Sequence, residues 1–540
     1  MATLLSAVSF TLTRLYLPAT CTWIFSRYVI KAPPLALGAE VVLALATFTL
    51  LSPIIATLVG LNLLVRLVLS AYLRVTTGKR ITIMEGRDAF VSHDEYANSC
   101  NHYSLYVIEG KCDLEKIRRK FSSILEQKGA DGEIVYNRLK CRIIRHLTYY
   151  CWSHVGSAFK IENHVKYFSN MGPSTPALTP ADIFSEMQAI YDHPFPQDKS
   201  PWEILVVPNF TYETTTSNLS ASHYAFIVRM HHGVMDGISA GNALQYYIAD
   251  APSKLTVDPL CPSHAWSWSK TVLGYLQLAI MGPRSFFKVL FLDETNCFHG
   301  PELTGPKTLS WSKQVSVDAL RLIKESTHTS VTAVLVSALG GSVRGLALKK
   351  GLPVPSTLHA FPTIGILPFP DVKPRNRFTM ALLPLRIGLE SSLERLKSAE
   401  SALKALLRSP DVLTNYHLME IFGVFPVPVI NFFLEKCHAT LLLSNVPGPA
   451  EKATIFGGDK IVDIGIWAPI QLGMSIGMSL FSYGGAVRAT VVLDKTAGSA
   501  EDVPTIIEEF EKEIVNLARQ AGVSAEQVFK DDVQIRAVAS

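Results

Sequence analysis

The sequence predicts a two-domain α/β protein with an N-terminal membrane segment, and three observations predict it. The chain has 540 residues, more than one ordinary domain accommodates. A strand, a tight glycine turn and the start of a helix can be read at Ala225–Ile248, near its centre. Residues 35–65 form an apolar run with a single charge, Glu40, longer than the roughly 20 residues a bilayer span needs.

Composition narrows the class. Hydrophobic residues make up 48% of the chain, and its mean hydropathy is +0.23, high for a soluble protein. The net charge of +4 is mild, and no basic stripe with interleaved aromatics suggests a nucleic-acid partner. Eight cysteines are scattered and none forms a C-x-x-C pair, so neither a disulfide framework nor a zinc ribbon is indicated. Reduced thiols facing the cytosol are expected.

Residues 1–80 are read as the membrane-associated segment, with the 35–65 run at its heart. Ser52-Pro53 interrupts that run, which leaves a kinked span, a re-entrant hairpin or an interfacial helix open. The preceding stretch, with Arg14, Trp23, Arg27, Tyr28 and Lys31, lacks a clean cleavage site and reads as a further amphipathic or embedded segment rather than a signal peptide. Arg66, Arg74 and Lys79-Arg80 close the run on one side, which favours a cytosolic body. The expected location is the endoplasmic reticulum membrane. The sequons at Asn209 and Asn218 are expected to be unmodified.

The first globular domain is read over 81–250. Tyr103–Gly110 suggests its first strand, and 113–127 a helix with Leu114, Ile117, Phe121 and Leu125 on one face. Pro201-Trp202-Glu203 opens an apolar strand through Val207. His164, on a separate segment, reads as structural. An apolar connector, 251–308, follows, read equally as a domain crossover or a second membrane contact. The second domain is read over 309–540, closed by an amphipathic helix over Glu501–Ala521. The apolar patch Ile421–Leu434 holds two prolines and so is not a span; it is read as core in preference to an exposed surface dipping into lipid.

The chemistry concentrates at His231-His232-Gly233-Val234-Met235-Asp236-Gly237. Successive side chains on a strand point to opposite faces, so the two imidazoles serve different surroundings. One can face a cavity and accept a hydroxyl proton near neutral pH. Asp236 can fold back to brace the turn, and Ser239 or a neighbour can cap the following helix. Gly233 and Gly237 suit a backbone turn that β-carbons resist. Two opposed rings and one carboxylate do not make a zinc site, and no metal is expected. A pair of packed histidines at a strand end is the plain alternative.

His-His-x-x-x-Asp-Gly resembles the signature of the CoA-dependent acyltransferase superfamily, which includes chloramphenicol acetyltransferases and peptide-synthetase condensation domains. The flanking pieces resemble the wax ester synthase/diacylglycerol acyltransferase family in particular. They are Phe159–Val165, Pro201-Trp202-Glu203, Leu309-Ser310-Trp311-Ser312, the Asn-containing Arg375–Leu385 stretch, and Ser444-Asn445-Val446-Pro447-Gly448-Pro449. The family's Asn-Asp pair is replaced by Thr332-Ala333, which would remove an amide and a carboxylate from near the site. The resemblance implies the two-domain chloramphenicol acetyltransferase-like fold, with the motif between the halves.

The expected mechanism makes His232 the general base. It takes the proton of a fatty alcohol or diacylglycerol, whose oxygen attacks the thioester of acyl-CoA. Acyl-CoA is a co-substrate, and no bound cofactor is expected. His231 and Gly237 support the motif, Asp236 holds the loop through a basic partner, and Asn445 is a candidate substrate contact. No G-x-S-x-G elbow is present, which argues against an acyl-enzyme hydrolase. A non-catalytic lipid carrier of the same fold, or an acyltransferase for another acceptor, are the alternatives.

Overall fold

The computed structural model describes residues 37–530, apart from 79, 95–98, 130, 170, 213–221, 252–293, 295, 300–302, 304–305, 368, 370–371, 410, 435–438 and 472. The segment before Leu37, the sequon at Asn218 and most of the apolar connector lie outside the described residues.

Two mixed sheets carry the body. In the first, the strand order is Thr454–Ile455, Asp459–Trp467, Asn101–Glu109, His223–His231, Trp202–Val207 and Val165–Tyr167. The histidine strand sits inside this sheet, antiparallel to neighbours on both sides, with Asn101 opposite His231. Nearly every residue along it is buried, which explains its continuous apolar sequence. Its one cation, Arg229, is buried and bound to Glu203 Oε1 at 2.9 Å and the Tyr103 hydroxyl at 2.9 Å. Glu203 of the Pro-Trp-Glu stretch therefore balances a buried charge. Trp202 stacks on His164, whose Nδ1 lies 2.7 Å from the Trp202 carbonyl, so His164 is structural.

The second sheet runs Phe378–Met380, Leu358–Gly365, Leu441–Pro447, Ile476–Tyr483, Ala486–Asp494 and Lys307–Trp311. Helices Val317–Thr327, Val331–Lys349, Ser392–Arg408 and Asp502–Gln520 supply its core. Division by chain position is not division in space. Asp459–Trp467 leaves the second half and pairs along Asn101–Glu109, Trp467 opposite Tyr103. This crossover stitches the halves together one strand away from the histidine strand.

At the N-terminus one helix runs unbroken over Leu37–Thr77, with Pro53 inside it. This rules out the re-entrant hairpin. By length and composition its Ala56–Thr77 part could cross a membrane. A small sheet, Ile81–Ile83, Tyr149–His154 and Cys141–His146, packs against it through Leu69, Leu73, Tyr149 and Cys151. The Ile421–Leu434 patch folds as the end of one helix, Asp411–Gly423, and a second, Val427–Leu434. Val424, Val427, Ile430 and Leu434 are buried there, as the core reading requires, while Phe432 is exposed.

Candidate active site

The histidine strand ends at His231, and the next residue starts the turn. His231 N donates to the Pro201 carbonyl and His232 N to the Cys100 carbonyl, at 2.9 and 2.7 Å, so the backbone is held on both sides as the rings diverge. His232 lines a cavity of about 100 Å³ with His102, Asp236, Ile238, Phe378, Ser444 and Asn445. His231 lines another, of about 690 Å³, with Asp94, Arg142 and Arg145. The prediction that the pair serves two surroundings holds.

Asp236 caps the helix Gly237–Ala243, accepting from Ser239 N at 2.8 Å. The cap is thus Asp236, not Ser239. Its other oxygen accepts from the Arg377 backbone N at 2.7 Å, and Asp236 N donates to the Arg375 carbonyl at 3.1 Å. The basic partner expected for Asp236 is not a guanidinium: the carboxylate is held by backbone N–H groups. Burial pushes its pKa up to about 6, and hydrogen bonds from those donors and the Ser239 side chain offset only part of the cost of taking a carboxylate from water. Beyond the cap, the helix widens into a π turn at Leu244–Ile248, and Leu244 lines the cavity.

The clamp on residues 375–377 has a consequence for the base. It fixes Asn376 beside His232, Oδ1 lying 3.0 Å from the ring Nδ1. Asn376 Nδ2 donates to Asp88 Oδ1 at 3.0 Å and to the His232 carbonyl at 2.9 Å. The amide orientation follows from these acceptors, so Oδ1 accepts and His232 Nδ1 carries the proton. Nε2 is then the basic atom. Asp88, fully buried, is paired with Arg138 at 2.6 Å. Asp88 thus has two partners to offset burial, which nonetheless raises its pKa.

Burial lowers the His232 pKa to about 4, and the Asn376 bond offsets only part of this. The ring is neutral at physiological pH. His102, whose centroid is 5.6 Å away, is lowered by burial to about 3. No cation competes for the lone pair at Nε2 from that side.

The glycines of the motif act by close approach. Neither Gly233 nor Gly237 has a positive φ. A β-carbon on Gly233 would lie 2.4 Å from Ser92 Oγ, and one on Gly237 3.1 Å from Val446 Cγ2. The turn expectation gives way to a packing one. Asn445, on the strand Leu441–Pro447, is exposed and lines the cavity. Thr332 and Ala333 do not line it; they open the Val331–Lys349 helix, with Ala333 wholly buried in the second core.

The sequence analysis gave Asn376 no role; it lies just before the strand Phe378–Met380. An asparagine between two arginines at the edge of an apolar stretch was the available signal. Asp88 and Arg138 carried no local signal at all.

Two α/β halves with a histidine turn between them define the class by fold, that of the peptide-synthetase condensation domains. Residues 375–518 match the WS/DGAT C-terminal domain. Its fold is similar to that of the wax ester synthase/diacylglycerol acyltransferase from Marinobacter aquaeolei VT8, at 16% identity and TM-score 0.56, covering 82% of this chain and 100% of that one. It is also similar to the trichothecene 15-O-acetyltransferase from Fusarium sporotrichioides, at 12% identity and TM-score 0.54, covering 81% and 94%. The starter condensation domain of rhizomide synthetase, a mutant solved with C8-CoA and Leu-SNAC, matches at 10% identity and TM-score 0.52, covering 85% and 99%. No curated protein matches the sequence.

Proposed function

We propose that the protein is a membrane-bound O-acyltransferase that moves a fatty acyl group from acyl-CoA to a long-chain alcohol or diacylglycerol. The observation that carries this reading is the neutral His232 ring, with Nδ1 bound to Asn376 and its face in a cavity. Nε2 takes the hydroxyl proton as the oxygen attacks the thioester carbonyl. The tetrahedral intermediate collapses, and the thiolate of CoA leaves and receives the proton from the imidazolium. Such a base contributes roughly 10²–10⁴ in rate.

The cavity wall favours a greasy acceptor. Ile238, Leu244, Phe378, Val446 and Phe481 line it, with Ser444 and Asn445 as polar groups. An apolar wall with a few polar groups binds chains and orients their reacting ends. The long apolar helix supports a membrane-borne substrate, because a small soluble acceptor needs no membrane. The catalytic body is assigned to the cytosolic side. The Asn209 amide, which donates to the Pro173 and Thr175 carbonyls, fits an unglycosylated sequon.

The test is to incubate membranes holding the protein with labelled acyl-CoA and a panel of fatty alcohols, mono- and diacylglycerols and small alcohols. Labelled wax ester or triacylglycerol supports the reading. Transfer to small alcohols alone, or binding without transfer, overturns it.

A further inference from the structure

We infer that the body itself sits on the bilayer, through a second apolar element beside the helix: the tip of the hairpin Cys141–His154 together with the Val427–Leu434 helix. This rests on the membrane reading above and extends it from an anchor to a docking face. The Leu37–Thr77 helix presents Ile54, Leu58, Leu61, Val65, Val68 and Tyr72 to the outside, each more than half exposed. Their spacing places them on one side of the helix. An adjoining strip of the helix is pinned to the body. Asn62 Nδ2 donates to the Val424 carbonyl at 2.6 Å, and Tyr149 donates to Asn62 Oδ1 at 2.6 Å. Arg66 donates to the Val424 and Met84 carbonyls at 3.3 and 2.5 Å, and Leu69 and Leu73 are buried. A stretch pinned lengthwise to a water-facing body cannot also cross a bilayer. It can lie in the surface with its bare side down.

The hairpin turn falls beside the same stretch. Leu147 and Thr148 are non-glycine residues with positive φ, 44° and 67°, a conformation that costs about 1–2 kcal/mol per residue. The turn ends in Leu147, 64% exposed. Thr148 O accepts from Val427 N at 2.7 Å, which ties the turn to the next helix, where Pro428 and Phe432 are exposed one turn apart. Tyr149, next to the turn, holds Asn62. Leu147, Pro428 and Phe432 thereby flank the helix at its pinned strip, next to Asn62. Exposed Arg145 on the hairpin and Arg74 on the helix supply a basic fringe on the same two elements, which suits apolar contact rimmed by phosphate headgroups. Continuity with the helix and this basic fringe select a phospholipid bilayer as the occupant. The hairpin also walls the cavity behind His231, through Arg142 and Arg145, so docking sets that cavity's rim at headgroup level.

The experiment places a photo-crosslinking side chain at Leu58, Leu147 or Phe432 of the full chain, with Leu407 as a control, reconstituted in phosphatidylcholine–phosphatidylserine vesicles. Leu407 is 64% exposed on the remote Ser392–Arg408 helix. Lipid adducts at 58, 147 and 432 and none at 407 are expected. Adducts at 58 alone mean that the helix inserts while the body stands clear, which overturns the docking face and leaves the anchor. No adducts at any position overturn the membrane reading with it. Adducts at 407 as strong as at 147, or chain-to-chain adducts at 147 and 432, also overturn the proposal, the latter by giving the face to a second copy.

Discussion

His231 and His232 are neighbours in sequence and opposites in surroundings. His231 is 2% exposed. Its Nδ1 accepts from Gly233 N at 3.0 Å, and its Nε2 lies 3.3 Å from Asp94 Oδ2. A ring that accepts at Nδ1 and faces a carboxylate at Nε2 carries its proton on Nε2. His232 has the reverse tautomer, with its proton at Nδ1 and its lone pair at Nε2. The difference comes from partners, since both rings sit on the same turn. A backbone N–H makes one ring a brace, and a side-chain amide makes the other a base.

The comparison breaks most sharply at His232 itself. His232→Ala is expected to lower kcat/KM for acyl transfer by roughly 10²–10⁴, with folded yield and membrane recovery unchanged. Radiolabelled ester synthesis on purified membranes measures this. Transfer at the wild-type rate would end the general-base assignment.

Asn376 comes next, because it sets the tautomer. Asn376→Ala frees Nδ1 and leaves Asp88 without its amide donor. A misplaced base costs on the order of 10²-fold, so kcat should fall by about that factor while KM for acyl-CoA holds. Asn376→Asp should be no better, since it puts a second carboxylate beside buried Asp88. A kcat within a factor of two or so of wild type would show that the ring keeps its tautomer unaided.

Asp236→Ala acts further back. It removes an N-cap and leaves Arg377 N unpaired. A lost cap costs about 0.5–2 kcal/mol, and a buried donor left without a partner about 1–3 kcal/mol. The denaturation midpoint should fall accordingly, and activity with it, since the clamp positions Asn376. Unchanged midpoint and kinetics would show that the 375–377 segment is held by other contacts.

Acid should expose the base. His232 is lowered by burial to about 4 from an ordinary 6.5, so it stays neutral until well below neutrality. The acid limb of kcat/KM reports this group in the free enzyme, and its midpoint should lie near 4. Because the folded state disfavours the imidazolium, the ring's contribution to stability is complete above 6.5. It is lost as pH falls toward the folded value. Asp236 runs the other way: raised to about 6, it costs stability as pH rises through that value. A kinetic midpoint near 6.5 would mean a solvated ring.

How much of this was legible in the sequence follows from how local each cause is. The histidine strand, its turn and its helix were readable because their signals are contiguous. The opposed rings followed from the alternation of strand side chains alone. Asn376 and Asp88 were not readable as site residues. Asn376 reaches His232 from 144 positions downstream, and Asp88 holds Asn376 from a short helix, Gly86–Phe90, far upstream. Only the fold brings them together. The return of Asp459–Trp467 to the first sheet was hidden for the same reason. Two helices show the limit of composition. Ala56–Thr77 and Val331–Lys349 are both apolar and long enough to cross a membrane, yet 17% of one and 78% of the other is buried. The second lies against the Asp502–Gln520 and Ser392–Arg408 helices in the core. Hydropathy is the same in kind, and packing decides.

The smallest expected effect on chemistry belongs to His231. If the pair divides its work as the bonds indicate, His231→Ala leaves Gly233 N buried without its acceptor and should cost about 1–3 kcal/mol of stability. The turn would still present His232, because His232 N remains bound to the Cys100 carbonyl and Nδ1 to Asn376. Among molecules that stay folded, kcat should therefore change by only a few-fold, against the orders of magnitude lost at His232. Active-site titration with a tight inhibitor separates folded fraction from turnover per site. A loss per folded site as large as that of His232→Ala would show that Asp94 and His231 take part in the proton's path, and that the two cavities act as one.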